Sequence, residues 1–319
     1  MTTSFSFTVS VEEDGRMLQQ LLQSRYGMSR RLLRKLKMNA GVTVNGEVVY
    51  LTSRVKTGDH VRMAFPDEEE TSVVPQPVPL DIVHEDDDIL VLNKQPGVVV
   101  HPTKHYPDGT LANALTHHWQ AKGERRLVRP VNRLDRDTSG VIVFAKHAYA
   151  HDFLAKQLHT ENSVREYRAV VFGVVESDRS TVSMPIARNP EQPSHRIVHP
   201  DGARAVTHYR VLRRFSQATY MACFLETGRT HQIRVHMSAI GHPLIGDPMY
   251  GDSVRNAQFD IDRQALHAYN FRIIHPRTGR LQQFIAELPE DMTILWSRLL
   301  ADRDGRCSVV HKSEDRLRD

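Results

Sequence analysis

A charged octet at the start of an apolar run constrains this chain most. Residues 133–140 read Arg-Leu-Asp-Arg-Asp-Thr-Ser-Gly, and the apolar residues 141–145 predict a buried strand. Asp135, with Arg133 and Arg136 on either side, is expected to stay ionised because nearby positive charge favours a carboxylate. Such an Asp suits a nucleophile or an electrostatic anchor. A turn Asp that hydrogen-bonds its own backbone is the commoner use of an isolated Arg-Leu-Asp.

A second segment places basic side chains near a predicted helix start. Residues 228–241 begin with Gly-Arg-Thr-His-Gln-Ile-Arg and end with a glycine. Thr230 is predicted to cap a helix that Gly241 ends. Arg229 and Arg234 then lie near the helix start, where an anion is stabilised.

A third segment, residues 165–171, alternates as a strand and presents Tyr167 beside basic residues. In this order, the three segments resemble the motifs of the RluA-type pseudouridine synthases, which modify uridines in ribosomal RNA and some transfer RNA. The family motifs fall on residues 132–140, 165–169 and 228–234. Shorter matches fall on residues 93–97, 101–102, 246–251 and 266–268, so the resemblance covers roughly residues 80 to 290.

The resemblance implies roles for residues at the matching positions. Asp135 would act on the target uridine, either by attacking the sugar or by taking a sugar proton, and the sequence leaves both routes open. Arg234 would pair with Asp135 and keep it ionised. Tyr167 would stack on or hydrogen-bond the uracil ring, and it is the candidate general base that removes the proton from C5. The implied substrate-binding residues are Arg133, Thr138, Arg229 and His231.

Arg133 is expected to enter the space that a flipped nucleotide leaves in an RNA helix. A salt bridge to Asp137 is its alternative role. The sequence departs from the family pattern at Asn132, where a histidine is usual, and at Gln95, which moves the usual proline by one position. Neither change removes a residue that the family's chemistry uses directly, but the first alters the residue that precedes Arg133.

The N-terminal part of the chain is strongly basic. Between residues 16 and 62, basic side chains outnumber acidic ones by ten to two, although the whole chain has a net charge of only +4. Leucines at helical spacing, a Ser29 cap and an Asn45-Gly46 turn predict two helices followed by a hairpin. This order resembles the S4 RNA-binding domain, although a solvated basic face is the alternative. The predicted RNA-binding residues are Arg16, Ser29, Arg30, Arg31, Arg34, Lys35 and Lys37.

These patterns predict an α+β protein. The resemblance implies a pseudouridine synthase fold, which is a mixed, largely antiparallel sheet with a central cleft, plus the small S4-like α/β domain. The predicted strands are residues 89–92, 141–144, 167–171, 207–212 and 222–225, and a helix is predicted at 148–159. The predicted domains are an RNA-binding domain at 1–65, a Pro-rich acidic linker at 66–80, a catalytic domain at 81–302 and a disordered charged tail at 303–319. The linker is expected to let the small domain reorient.

Composition excludes several classes of protein. Two cysteines cannot supply the Pro-Cys-x-x-Cys zinc site of a nucleobase deaminase. The 18 histidines include no His-x-x-x-His pair with a fitting carboxylate, and no dinucleotide or phosphate loop is present, so neither a metal nor a cofactor is expected. The absence of a signal peptide pattern, a membrane span and a disulfide framework predicts a cytoplasmic protein.

The sequence therefore predicts an RNA pseudouridine synthase that flips its target base. Its expected partner is 23S (large-subunit) ribosomal RNA, with transfer RNA as the other possibility. No membrane and no obligatory protein partner are expected. The alternative function is that of a catalytically silent RNA-binding or ribosome-assembly protein on the same fold.

Overall fold

The computed structural model describes residues 4–65 and 71–301. Its N-terminal unit (residues 4–65) contains a single 3-10 turn at Val11–Glu13 and the following elements: β1 (Ser4–Thr8), α1 (Leu18–Tyr26), α2 (Arg30–Met38), β2 (Val42–Val44), β3 (Glu47–Val48) and β4 (His60–Ala64). The strands form an antiparallel sheet in the order β1-β4-β2-β3.

The two helices of the N-terminal unit form as their leucine spacing predicts. The leucines of both helices are buried against the sheet, which leaves the other face of α2 to solvent. Ser29 caps α2, because its side-chain oxygen accepts the backbone N–H of Leu32 at 3.2 Å. Asn45 and Gly46 adopt φ angles of 53° and 89° in the turn between β2 and β3, as a two-residue hairpin turn requires.

The large unit (residues 71–301) is built around a ten-stranded sheet. The strands of the whole unit, two of which (β11 and β12) lie outside this sheet, are β5 (Ile82–Glu85), β6 (Ile89–Lys94), β7 (Arg129–Pro130), β8 (Ser139–Ala145), β9 (Val164–Phe172), β10 (Arg179–Ser183), β11 (Ile186–Arg188), β12 (Arg196–Val198), β13 (Val206–Arg214), β14 (Ala218–Leu225), β15 (Leu266–Ile274) and β16 (Leu281–Ile285). Its helices are α3 (Leu111–Ala121), α4 (Ala148–Gln157), α5 (Gln232–Ala239), α6 (Ser253–Asn256) and α7 (Glu290–Ala301).

The order of strands in the large sheet is β10-β13-β14-β9-β15-β8-β6-β5, with β16 on β15 and β7 on β8, while β11 and β12 pair separately. The pair of β15 with β8 is parallel, and the other pairs of this sheet are antiparallel. The mixed, largely antiparallel α+β architecture is therefore confirmed.

The centre of the sheet is packed on both faces. The side chains of β9 are buried from Arg165 to Phe172, although polar residues are interspersed in this segment, because β14 and β15 flank the strand and other elements cover both faces. Gly140 lies where β8 meets β15. Its φ is +107°, and a Cβ atom there would lie 2.2 Å from the carbonyl oxygen of Ala268, so only glycine fits.

The N-terminal unit packs against helix α4 of the large unit. Tyr149 of α4 is buried among the apolar side chains of the N-terminal unit, and Asp152 accepts the backbone N–H of Ser29 at 2.9 Å. This contact differs from the reorientation that the linker composition suggested, because aromatic side chains that no sequence pattern marked as an interface hold the two units together.

The remaining predictions at the chain ends fall partly outside the described residues. The first part of the predicted linker, residues 66–70, and the predicted tail, residues 303–319, lie outside them. The domain boundaries therefore remain predictions. Within residues 4–65 and 71–301, no helix is long and apolar enough to cross a membrane.

Candidate active site

A cleft of about 330 Å³ opens beside the charged octet. Its lining includes the three predicted catalytic residues Asp135, Tyr167 and Arg234, which are contributed by the loop before β8, by β9 and by α5. The cleft is lined by all four predicted substrate-binding residues as well, namely Arg133, Thr138, Arg229 and His231. A volume of this size lies at the lower end of the range for small-molecule sites and can take a single nucleoside rather than a helix.

Arg234 holds the Asp135 carboxylate in this cleft. Its Nη1 donates to Oδ2 of Asp135 at 3.2 Å, and its Nε and Nη2 donate to the two carboxylate oxygens of Asp247 at 2.7 and 2.8 Å. The Arg234 side chain is 4% exposed and that of Asp135 is 25% exposed, so Asp135 is the member of the trio that a substrate can reach. Burial opposes the charge of Arg234, but its hydrogen bonds to Asp247 outweigh this effect and raise the pKa of Arg234.

Asp247 was part of a matched sequence segment, but sequence reasoning assigned it no role. It is fully buried and also accepts the backbone N–H groups of Met249 and Tyr250 at 2.9 and 3.1 Å. These contacts lock the carboxylate in one position, so that it aligns the Arg234 guanidinium as a bidentate partner. The signal was present in the segment Gly-Asp-Pro-Met-Tyr-Gly, since an Asp before such a turn commonly bonds the backbone that follows.

His231 and Tyr250 close the other side of Arg234. The Arg234 guanidinium lies 5.1 Å from the centre of the Tyr250 ring, and the Tyr250 hydroxyl is 2.8 Å from Nδ1 of His231. Nε2 of His231 is 3.9 Å from Oδ1 of Asp135. Burial lowers the pKa of His231, which favours a neutral imidazole beside the carboxylate.

The predicted cap of helix α5 is wrong. The helix begins at Gln232, the capping position is His231 rather than Thr230, and His231 has a left-handed φ of 58° without a side-chain cap. Gln232 organises the turn instead: its Oε1 accepts from the Thr227 hydroxyl and from the Arg229 backbone at 2.8 and 2.9 Å. Because the side chain of Gln232 holds this turn, a simple capping pattern at Thr230 did not describe it.

The structure places Tyr167 in a strongly buried position on β9. The residue is 6% exposed, and burial, together with the nearby charge of Asp135, raises the pKa of Tyr167 to about 12, against the opposing effect of Arg165. A raised pKa is the opposite of what a tyrosine base needs at neutral pH. The phenol is therefore neutral in this cleft and suited to packing and hydrogen bonding.

The other three predicted substrate-binding residues differ in accessibility. Arg133 is exposed at the cleft, and Asp137, its alternative partner, bonds Arg136 at 2.9 Å. Arg229 is also exposed, with its Nε donating to the carbonyl oxygen of Arg204 at 3.0 Å. Thr138 is buried, and its hydroxyl accepts from Gln264 at 3.1 Å, so it supports the wall of the cleft.

Lys94 is a second residue that the sequence matched without assigning a role. Its ammonium group is buried and donates to the carbonyl oxygens of Gln95, Val98 and Arg136 at 2.8, 2.8 and 2.6 Å. Three N–H groups thus meet three carbonyl groups. Burial lowers the pKa of Lys94 to about 7. The contact ties the end of β6 to the residue that follows Asp135.

A cluster away from the cleft has the spacing of metal ligands. Ligand atoms of Asp86, Asp88 and His275 lie within 4.8 Å of one another. However, Asp86 accepts from His84 and His275 at 2.8 and 3.0 Å, and Arg277 donates to Asp88 at 2.6 Å. Because N–H donors already fill these carboxylate oxygens, the cluster is a hydrogen-bonded ion network between two turns.

The predicted RNA-binding residues are separated from this buried chemistry. Arg16 donates to the Ser24 hydroxyl at 2.9 Å, and Ser29 serves as the helix cap described above. The remaining five are exposed on α2: Arg30, Arg31, Arg34, Lys35 and Lys37. Their pattern is that of a surface for a polyanion.

The chain matches two protein families. Residues 88–239 match the RNA pseudouridylate synthase family, and residues 5–61 match the RluD ribosomal pseudouridine synthase N-terminal domain. Among solved structures, the human RNA pseudouridylate synthase domain containing 1 is similar, with a TM-score of 0.54 and 25% identity over 75% of this chain and 100% of that one.

Curated relatives match most of the chain. A Bacillus subtilis protein named uncharacterized RNA pseudouridine synthase YjbO is 44% identical over 271 residues, which is 84% of this chain and 94% of that protein. The ribosomal large subunit pseudouridine synthase D of Escherichia coli is 41% identical over 307 residues, 92% of this chain and 94% of that protein. With this coverage, and with the Asp135 side chain paired to Arg234 in a nucleoside-sized cleft, the chain belongs to the RNA pseudouridine synthase family and is an enzyme of that class.

Proposed function

We propose that this protein isomerises specific uridines of large-subunit ribosomal RNA to pseudouridine in the cytoplasm. The observation that carries the proposal is the Asp135 carboxylate, which the buried Arg234 holds at 3.2 Å in the nucleoside-sized cleft. The names of relatives such as the Escherichia coli protein support ribosomal RNA as the substrate rather than transfer RNA.

The proposed reaction needs only groups that this chain carries. The N-glycosidic bond of uridine breaks, the uracil turns within the cleft, and a new bond joins the sugar carbon to C5 of the base. C5 loses a proton and N1, which has lost its bond to the sugar, gains one, so that the product is an isomer of the substrate. Asp135 acts on the sugar as a carboxylate, whether it attacks carbon or removes a proton. Arg234 serves as the positioning residue that holds this side chain in place through a hydrogen bond, and Asp247 fixes Arg234 in turn.

Tyr167 is proposed to contact the uracil as a neutral phenol. Its raised pKa excludes a standing population of tyrosinate at neutral pH. A planar ring beside Asp135 can pack on the uracil face and keep the freed base in place while it turns. The C5 proton then leaves to another acceptor, and the Asp135 carboxyl group, which lines the same cleft as Tyr167, is the proposed one.

Arg133 is proposed to assist extrusion of the uridine. A nucleotide within a stem must be unstacked at a cost of a few kcal/mol before it reaches the cleft. The exposed Arg133 guanidinium can fill the vacated space, where it stacks on neighbouring bases and bonds phosphate oxygens. Because Asp137 pairs with Arg136 instead, Arg133 is available for this contact.

Tritium release from RNA labelled at uridine C5 tests the proposed function. The wild-type protein should release tritium from large-subunit ribosomal RNA made without modifications, and Asp135→Asn should release none above background. Asp137→Asn is the matched control, since it changes the same charge two residues away and should keep most of the activity.

A wild-type protein without activity would contradict the proposal. Absence of tritium release by the wild-type protein on ribosomal RNA, transfer RNA and short stem-loops would leave the silent RNA-binding function as the better description. Mapping of pseudouridine in total RNA from cells with and without the gene then identifies the substrate, and a missing site in transfer RNA alone would contradict the ribosomal assignment.

A further inference from the structure

Helix α4 is in contact with the N-terminal unit along one face. We name this the docking face and define it by Tyr149, Asp152, Phe153 and Lys156. Tyr149 is only 1% exposed, and Phe153 also packs against the apolar core of the N-terminal unit. The sequence placed a helix here but indicated nothing about a partner for it.

Polar contacts of the docking face hold the beginning of the basic helix α2. Oδ2 of Asp152 accepts the backbone N–H of Ser29 at 2.9 Å, and Lys156 donates to the carbonyl oxygen of Gly27. Lys156 and Asp152 also pair with each other at 2.9 Å. A carboxylate is favourable at the N-terminal end of a helix, so these contacts set both the position and the direction of α2.

Aromatic rings form the rest of the docking face. The Tyr149 ring lies 6.0 Å from the ring of Phe65 at an interplanar angle of 9°, and 5.9 Å from the ring of Phe5. His147, just before α4, stacks on Phe65 as well, at 5.9 Å. Because these rings come from both units, the interface combines apolar packing with the polar contacts and holds the N-terminal unit in one orientation.

The C-terminal end of α4 leads directly into the wall of the cleft. Leu158 and His159, which follow the helix directly, line the cleft. The buried Arg165 side chain donates to the carbonyl oxygens of Leu158 and of Leu225 at 3.2 and 3.0 Å, which joins the end of α4 to the strand before the Arg229 loop. From Asp152 to Leu158 the helix advances about 9 Å at 1.5 Å per residue.

We infer that α4 holds the basic helix α2 in a fixed position relative to the cleft, so that the two form one rigid RNA-binding surface. The inference rests on the proposed function. It specifies the substrate class: an RNA whose backbone continues from the target uridine to phosphates that contact α2 while the uridine occupies the cleft. Once the uridine occupies the cleft, a rigid link gives the phosphates a high effective concentration at α2. An isolated stem-loop that reaches only the cleft makes no contact with α2 and gains no affinity from the link.

A variant that breaks the docking face tests this inference. Asp152→Ala, Phe153→Ser and Lys156→Ala together keep the net charge unchanged. We expect kcat/KM and affinity on a domain-sized fragment of large-subunit ribosomal RNA to fall about tenfold, with both unchanged on a minimal stem-loop. Amide hydrogen exchange at Ser29 should be slow in the wild type and fast in the variant.

Controls keep the test decisive. Asp260→Ala with Arg298→Ala also removes an exposed ion pair without changing net charge, and it should behave as the wild type. Should the Phe153→Ser change damage the fold, Asp152→Ala with Lys156→Ala alone carries the test.

Two results would overturn the inference: equal values for the docking variant and the wild type on the long fragment, or an unprotected Ser29 amide in the wild type. Equal reductions on both RNAs would also contradict it, because the defect would then lie in the cleft. If the wild type forms no pseudouridine, the proposed function fails, and the affinities for the two RNAs and the Ser29 exchange still decide the inference.

Discussion

Helix α2 and helix α5 use arginine in opposite ways. The arginines of α2, such as Arg31 and Arg34, are exposed. Arg234 of α5 is buried and bonded to two carboxylates, Asp135 and Asp247. An exposed cation contributes long-range attraction to a polyanion and little sequence information. A buried, paired cation fixes the geometry of another group, and its removal or isolation affects folding as well as chemistry.

The largest expected effect comes from isolating the buried cation. Asp247→Ala removes the bidentate partner of Arg234, which then keeps only the partly exposed Asp135. Because an uncompensated buried charge is costly, the free energy of unfolding should fall by about 3–5 kcal/mol, measured by urea denaturation, and tritium release should be abolished. Asp247→Asn, which preserves the shape and one acceptor oxygen, should reduce stability less. A decrease below about 1 kcal/mol for Asp247→Ala would contradict the distinction between the two helices.

A second prediction uses pH to extend the comparison within the large unit. His267 is fully buried between the Ser139 hydroxyl and the Ala286 carbonyl oxygen, at 2.9 and 2.8 Å. Burial lowers the pKa of His267 to about 4, despite its hydrogen bond to the Ala286 carbonyl. The unfolded chain, with a histidine pKa near 6.5, binds more protons than the folded one between these values. The contribution of His267 to the free energy of unfolding is therefore fully present above about pH 6.5, and it is lost as the pH falls towards 4.

The size of this pH effect is on the order of 3 kcal/mol at the acid end of the window. Urea denaturation at several pH values measures it, and His267→Gln should flatten the profile in this window, since glutamine can both donate and accept. An unchanged slope in the variant would assign the acid sensitivity to other groups.

The smallest effect on stability is expected for the exposed arginines. Arg31→Gln with Arg34→Gln should change the free energy of unfolding by no more than about 0.5 kcal/mol. The slope of log affinity against log salt concentration for ribosomal RNA should decrease by about 0.7 to 0.9 for each phosphate that the variant no longer neutralises. The control, Arg179→Gln with Arg280→Gln, alters two exposed arginines of the large unit and should leave the slope unchanged. Equal slopes for both variants would remove α2 from the RNA-binding surface.

Sequence reasoning succeeded where the interactions are local. The apolar run after the octet forms β8, and the helix predicted at 148–159 is α4, which ends at Gln157. Ser29 caps α2 through a bond to Leu32, three residues away. Periodicity and capping depend on neighbours within a turn or two, so a single chain contains the whole signal.

The features that the sequence did not predict depend on contacts between residues that are far apart in the chain. Thr230 satisfied the pattern of a helix cap, but the turn is organised by Gln232, whose side-chain nitrogen bonds the Val206 backbone 26 residues earlier in the chain. The contact of Asp152 with Ser29 spans 123 residues. Neither leaves a periodic or local trace, because each depends on which surfaces the fold brings together.

For this protein, the order of residues alone determined the two charge patterns, the helices and strands, and the motif residues Asp135, Tyr167 and Arg234. The tertiary structure alone decided that Asp247 aligns Arg234, that Tyr167 is neutral, and that α4 joins the basic helix to the cleft. The physical reason is that the charge and periodicity of a segment are properties of its own residues. Burial, pKa and ion pairing instead depend on partners that only folding brings into contact.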